Sequence, residues 1–482
     1  MYSENSPLIT FRIILRAGSI NDLKGKEGIN ALTASMLARG GTNELKYQEV
    51  VAKLYPWAAS INVQPDKEIT TFIGNVHSDH LEKFYKLLSD LLLNPRFDPD
   101  DFTRNKDLAV NFLEKNLRGI DDENLGKEAL GISMFTSHPY GTAGATVEGL
   151  KATSLEDVKE YYRKTYTTGR IWIGIAGGYP RLFVDQMKKD FSKLPDGKFV
   201  PVALPSPEKI EELEITFVEK PTRATAISMG HPIPITRKDK DYYALMVANS
   251  YFGEHRTFNG VLMNRLREDR GLNYGDYSYI ERFTGGVTGV SRLPDVNTPL
   301  RQQYFSIWIR PVQPENAHFA VRAAMYELEK FVENGLTEEQ FQRTKKFVIN
   351  YSKLLAQTLN RRLGYKMDSE FYETEYYIDR IERELKALTI DDVTKAIRKY
   401  ISAKNLKVAI VANDPEDLMK AMLSNTPSPI TYASTVSERI LEEDKVISTF
   451  PLDINKMHSK IVPVAELFEN ESPSSTIGRK SR

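Results

Sequence analysis

The feature that most limits how this chain can fold is that it repeats. Phe102-Thr-Arg-Asn-Lys-Asp-Leu-Ala-Val-Asn-Phe112 returns as Phe341-Gln-Arg-Thr-Lys-Lys-Phe-Val-Ile-Asn-Tyr351, 239 positions later. A second pair follows in the same order. Thr153-Ser-Leu-Glu-Asp-Val158, Arg163-Lys164 and the apolar run 171–176 return as Leu388-Thr-Ile-Asp-Asp-Val393, Arg398-Lys399 and the run 406–411, 235 positions later. Two ordered matches at nearly one offset define a tandem of two similar domains. In a chain of 482 residues, each copy has room for roughly 200, a usual domain size.

Residues 194–212 contain Pro195, Gly197, Pro201, Pro205 and Pro207 among polar residues, which is linker composition. The expected organisation is therefore one domain over 1–200, a second over 208–413, and an extended C-terminal arm over 414–482. In that arm only Ile461-Val-Pro-Val464 and Leu467-Phe468 look able to dock on a core, and the polar tail from Ser472 is expected to fray. Within each copy, strand patterns (8–15, 68–76, 303–309) alternate with long helical patterns (79–93, 317–333). That alternation predicts an α+β fold, with helices packed on a mostly antiparallel sheet in each domain.

Composition excludes several classes. Sixty-five basic residues balance sixty-five acidic ones, so there is no bulk electrostatic case for nucleic acid or an anionic membrane. No apolar run is long enough to span a bilayer. With no cysteine, thiolate metal sites and a cysteine nucleophile are impossible, while a reducing cytosol and a periplasm remain equally open. No Gly-x-Ser-x-Gly elbow, phosphate-binding loop or dinucleotide fingerprint stands in a strand-turn-helix context.

Residues 28–42, Gly-Ile-Asn-Ala-Leu-Thr-Ala-Ser-Met-Leu-Ala-Arg-Gly-Gly-Thr, form a helical pattern through Ile29, Leu32, Met36 and Leu37, stopped by Gly40-Gly41. With its flanks it resembles the first active-site helix of the pitrilysin/insulinase family of zinc peptidases, where this frame carries His-x-x-Glu-His. Here the two histidine positions fall on Ala31 and Ser35, and the glutamate position on Ala34. Alanine supplies no ligand and a lone serine does not replace imidazoles and carboxylates, so no catalytic zinc is expected in this chain. Glu114 falls near the family's third ligand, and one carboxylate cannot hold zinc alone. His77 and His80 are read as residues around a helix start capped by Ser78 or Asp79, and His138-Pro-Tyr-Gly141 as a structural turn.

Phe258-Asn-Gly-Val-Leu-Met-Asn-Arg-Leu-Arg-Glu-Asp-Arg-Gly-Leu-Asn-Tyr274 reads as a helix ended by Gly271, with Tyr274 in the following strand. Its Leu-Arg-Glu-x-Arg-Gly-Leu-x-Tyr core resembles the same family's second-domain motif. The resemblance implies that Arg267 and Tyr274 are catalytic groups that reach the substrate across a cavity between the domains. It also implies that Ala59, Ser60, Ile61 and Asn62 lie on an edge strand that binds substrate. Shorter members of this family pair as dimers, and in the heterodimeric kind one subunit holds zinc while the other bears the Arg–Tyr pair. Mitochondrial processing peptidase subunits are similar, but the glycine-rich loop of its noncatalytic subunit is absent: residues 251–260 hold two glycines.

The function expected is a noncatalytic subunit of a zinc endopeptidase. It would work with a peptide or protein substrate and a zinc-bearing homologous partner that has intact His-x-x-Glu-His. The alternative is a structural or peptide-binding protein of the same fold with no part in proteolysis. Family members usually have another strand or two before the one at Leu8, so the natural N-terminus is expected upstream. A periplasmic or secreted location follows if an export signal stood there, and a cytoplasmic one otherwise.

Overall fold

A computed structural model of the chain describes residues 1–142, 144–254, 260–284, 293–432 and 435–468. The first copy runs β1 (Leu8–Leu15), α1 (Ile29–Arg39), α2 (Tyr47–Leu54), β2 (Ser60–Pro65), β3 (Thr70–His77), α3 (Leu81–Leu93), α4 (Pro99–Asn111), α5 (Asp122–Met134), α6 (Val147–Ala152), α7 (Leu155–Thr165), β4 (Ile171–Ala176) and α8 (Phe183–Phe191). The second runs β5 (Glu214–Glu219), β6 (Thr225–Ile233), α9 (Lys240–Phe252), β7 (Asp276–Tyr279), β8 (Gln303–Val312), α10 (Ala317–Asn334), α11 (Glu338–Ser352), α12 (Leu359–Phe371), α13 (Tyr377–Ala387), α14 (Ile390–Tyr400), β9 (Lys407–Ala412) and α15 (Glu416–Leu423). Helix α16 (Glu438–Ile447) and strand β10 (Lys460–Pro463) follow. The fold is α+β, two similar domains with helices on a mostly antiparallel sheet in each.

The repeated residues do the same work twice. Lys106 on α4 donates to the carbonyls of Lys151 and Thr153, both at 2.9 Å, and Lys345 on α11 donates to those of Lys386 and Leu388 at 2.9 and 2.7 Å. Each ammonium thus satisfies the free carbonyls at the end of a short helix, a contact worth about 0.3–1 kcal/mol. The next helix begins in both copies with a capping box, Ser154 with Asp157 and Thr389 with Asp392.

The first sheet has the order β2-β3-β1-β4 and is antiparallel throughout. The second has the order β10-β5-β9-β6-β8-β7, with β10 and β5 joined in parallel to their neighbours. Residues 414–468 are not the extended run expected from sequence. The segment opens with α15, which follows β9 as α8 follows β4, and it returns through α16 to add β10 to the sheet. Its proline clusters mask two short amphipathic helices, which gain their stability from packing rather than propensity.

The halves exchange helices. Leu125, Ala129 and Leu130 of α5 pack with Val218, Ala226 and Val411 of the second sheet. In return, Leu363 and Met367 of α12 pack with Ile14 and Ala176 of the first. Gly174 on β4 permits that approach, because a Cβ there would stand 2.8 Å from the Met367 sulfur. A buried polar seam accompanies the exchange. Arg12 on β1 donates to Asn297 at 2.6 Å and to Asn360 at 2.9 Å, Glu68 accepts from Arg301 at 2.6 Å, and Asp66 pairs with Arg282. Arg12 is only 5 % exposed, so its charge depends on these partners. Asn360→Ala should therefore cost about 1.5–3 kcal/mol, the range for a hydrogen bond to a charged group. Denaturant unfolding checks this, with probes in both halves losing stability together.

Candidate functional site

Helix α1 is built to pack. Asp22 accepts from the Gly28 N–H at 2.7 Å and the Asn30 N–H at 2.9 Å, so a carboxylate six residues upstream caps the helix. Burial pushes the Asp22 carboxyl up to about 7. Asn30 donates to Thr70 and accepts from Tyr161, and Ala34 is wholly buried among Leu37, Phe11 and Phe72. Ala31 and Ser35 are half-buried. These three positions present no donor set that fits zinc.

The remaining candidate ligands have other employment. Glu114, in the wide helical turn Phe112–Ile120, faces Lys151 at 3.3 Å. Neither Ser78 nor Asp79 caps α3: His77 caps the 3-10 turn Ser78–His80 that leads into it, its Nδ1 accepting the Asp79 N–H at 3.3 Å, while α3 starts after His80 with no side-chain cap, and His80 stacks on Trp57. His138 accepts the Tyr140 N–H at 3.0 Å and so shapes the turn Pro139–Gly141. A Cβ at Gly141 would stand 1.9 Å from the Phe135 carbonyl oxygen, so that turn needs glycine. Among the described residues no three His, Asp or Glu side chains converge as a metal site.

The Arg–Tyr motif is placed with more care. Its helix is the wide turn Met263–Glu268, with Leu262 and Leu266 in the core. It stops where Gly271 takes φ +63° and the Leu272 N–H reaches back to the Leu266 carbonyl at 3.1 Å. Arg265 donates to Glu327 of α10 at 3.0 Å and pairs with Glu443 of α16. Arg270, whose side chain is fully buried, donates to Glu443 at 2.7 Å and Asp444 at 2.8 Å. Asp444 also accepts from Tyr432 at 2.6 Å. The C-terminal stretch thus clamps both flanks of Arg267 with charge-assisted hydrogen bonds.

Between the clamps, Arg267 stays accessible, with Glu268 beside it at 3.3 Å. Tyr274 is 81 % exposed and sits in the turn two residues before β7, not in the strand, because Gly275 and the Asn273 cap bend the chain there. Asp276 was not foreseen. Its carboxyl, wholly buried and held by Asn273 at 2.7 Å, is pushed up to about 7 by burial, against the pull of Asn273 and Arg267. Its second oxygen has no partner among the described residues. The sequence signal for the clamp was the acidic run Glu442-Glu-Asp444 in an otherwise loose arm, matched to Arg265 and Arg270.

Ser60, Ile61 and Asn62 lie on β2, the edge of the first sheet, and Ala59 just precedes it. Helix α1 lies against this strand. Among the described residues no hydrogen bond or ion pair joins Arg267 or Tyr274 to α1 or β2. Positions 255–259, which include Phe258 and half of the glycine-poor loop, and the tail 469–482 lie outside the described residues.

The fold and site define a two-domain peptidase-like protein whose first helix carries no metal ligands. The chain belongs to the insulinase family, peptidase family M16: residues 2–141 match that family's profile, and residues 152–348 match the profile of the peptidase M16 inactive domain. It is similar to the non-peptidase homolog YmxG of Helicobacter pylori, 23 % identical over 86 % of this chain and 92 % of that one. The mitochondrial-processing peptidase beta subunit of Blastocladiella emersonii is 21 % identical over 86 % of this chain and 87 % of its own length. Among solved structures, a peptidase M16 inactive domain from Pseudomonas fluorescens superposes with a TM-score of 0.74 at 21 % identity, covering 86 % of this chain and 94 % of that one.

The clamp makes a direct prediction. Removing both acids (Glu443→Ala with Asp444→Ala) leaves Arg270 buried and uncompensated, which should cost about 3–5 kcal/mol. Hydrogen exchange should accelerate across 262–276 before it does so in the first domain.

Proposed function

We propose that this chain is the noncatalytic subunit of a heterodimeric zinc endopeptidase. On this reading it lends Arg267 and Tyr274 to a homologous subunit that carries the metal on an intact His-x-x-Glu-His. The observation that carries the reading is the exposure of Tyr274, 81 %, on a segment whose arginines Arg265 and Arg270 are held by Glu327, Glu443 and Asp444. A large aromatic side chain held out from so tightly tied a turn has no packing role in its own domain. The names of the relatives agree, one a non-peptidase homolog and another a peptidase subunit.

The chemistry assigned to this chain is binding and charge stabilisation. A phenol O–H donates to a peptide carbonyl oxygen as that oxygen gains negative charge, and a donor placed there favours the transition state over the ground state. The guanidinium, with its planar fork of N–H donors, fixes the substrate backbone beside it. The open edge of β2 at Ser60, Ile61 and Asn62 adds an extended peptide through main-chain hydrogen bonds, which tolerates varied side chains.

Tyr274→Phe, made in the reconstituted pair, should lower kcat by about 10²–10³, with dimer affinity and the partner's zinc content unchanged. Arg267→Ala should also raise KM. Steady-state kinetics on a quenched peptide, with assembly checked by sedimentation, measures both. Full activity in the double mutant would overturn the reading in favour of a structural role.

A further inference from the structure

The turn that holds Tyr274 out is built on the side chain of Asn273, and both ends of its amide are engaged. Its Oδ1 accepts the Gly275 N–H at 2.9 Å, while its Nδ2 donates to the Asp276 carboxyl at 2.7 Å and to the Arg310 carbonyl at 3.0 Å. The first bond bends the chain around Tyr274 as an Asx turn. The other two set the direction of the bend, because they tie it to β7 and to β8. The Arg310 N–H returns to the Gly275 carbonyl at 3.3 Å, and the Arg310 side chain reaches Glu123 of α5 at 3.1 Å.

Of these partners Asp276 is the costly one. It is wholly buried at the first position of β7, and its Oδ2 has no partner among the described residues. Arg267, from the wide turn packed on β7, is the charge that acts on it. A buried carboxyl with one oxygen unsatisfied works against folding. Ser278, two residues along the same strand, shows the ordinary arrangement: its hydroxyl donates to Asn249 and its N–H to the Gly253 carbonyl, both at 2.7 Å. The side-chain hydrogen bond that Asp276 does make goes to Asn273.

We propose that Asp276 is a positioning residue for Tyr274: by holding the Asn273 amide it fixes the direction in which the turn presents the phenol. The inference rests on the reading of Tyr274 as a substrate-facing group, and it names the buried residue on which that placement depends. Either protonation state of the carboxyl leaves an oxygen to accept from Asn273, so the position needs an acceptor and not a charge. Valine would suit the strand and remove the unsatisfied oxygen, but it would leave one Asn273 N–H without its partner and free the amide to turn. A misplacement of the phenol by about 1 Å is enough to cost on the order of 10²-fold in rate.

Asp276→Val in the reconstituted pair should therefore lower kcat by on the order of 10²-fold, with KM and dimer affinity unchanged and the unfolding midpoint held or raised. Asp276→Asn keeps an acceptor in the same place and should restore most of the loss. In a Tyr274→Phe background Asp276→Val should lower kcat no further, because the residue acts through the phenol. On the isolated full chain, amide exchange at Gly275 should quicken by at least about tenfold in Asp276→Val and not in Asp276→Asn. If Asp276→Val kept the full kcat while Tyr274→Phe lowered it, the proposal would be overturned and the subunit reading would stand. A lower unfolding midpoint with kcat per assembled pair unchanged, or a further loss in the Tyr274→Phe background, would also overturn it. Should Tyr274→Phe itself be silent, the subunit reading falls and exchange at Gly275 judges the placement, with an unchanged rate in Asp276→Val overturning it.

Discussion

Each sheet of this protein is covered in part by a helix from the other half. Without α5 the second sheet would expose Val218, Ala226 and Val411, and without α12 the first would expose Ile14 and Ala176. The apolar area at stake is substantial in a chain whose net stability is only a small difference between large terms. Once that exchange is made, the polar seam of Arg12, Asp66 and Glu68 is dehydrated and must find its partners in the opposite half. Glycine at 174 follows from the same closeness of approach.

Within that frame the two motif regions have taken opposite courses. Helix α1 keeps its cap on Asp22 and its buried Asn30, but fills the ligand positions with alanine and serine, so it packs without holding a metal. The segment around Arg267 is instead tied on both sides to acids of the C-terminal helix and of α10. A buried arginine held by two carboxylates is weak as a source of stability and strong as a determinant of one geometry. What that geometry presents is an accessible guanidinium and an exposed phenol.

Much of this was legible in the sequence because it is local or repeated. The repeat that carries Lys106 and Lys345 shows as two ordered matches at nearly one offset, and the stop at Gly271 follows from residues within a few positions of it. The alanines at 31 and 34 needed no structure to exclude a ligand set. What escaped was long-range. The parallel addition of β10 and the pairing of Arg270 with Asp444 join residues far apart in the chain, where periodicity carries no signal. Tyr274 was placed in a strand because tyrosine suits one, but Asn273 and Gly275 override that preference with a turn. Asp276 escaped for a different reason: its burial depends on the surrounding fold, and an acidic residue at a strand start reads as exposed.

The central claim is a division of labour in which this chain contributes substrate-facing groups and its partner holds the metal. Native mass spectrometry with elemental analysis tests it most directly, on the isolated chain and then on the chain purified with its homologous partner. The account predicts no tightly bound zinc and no peptide hydrolysis for the chain alone, and one zinc per assembled pair, lost when the partner's ligands are substituted and retained in Tyr274→Phe. Stoichiometric zinc on the isolated chain with chelator-sensitive proteolysis would contradict it.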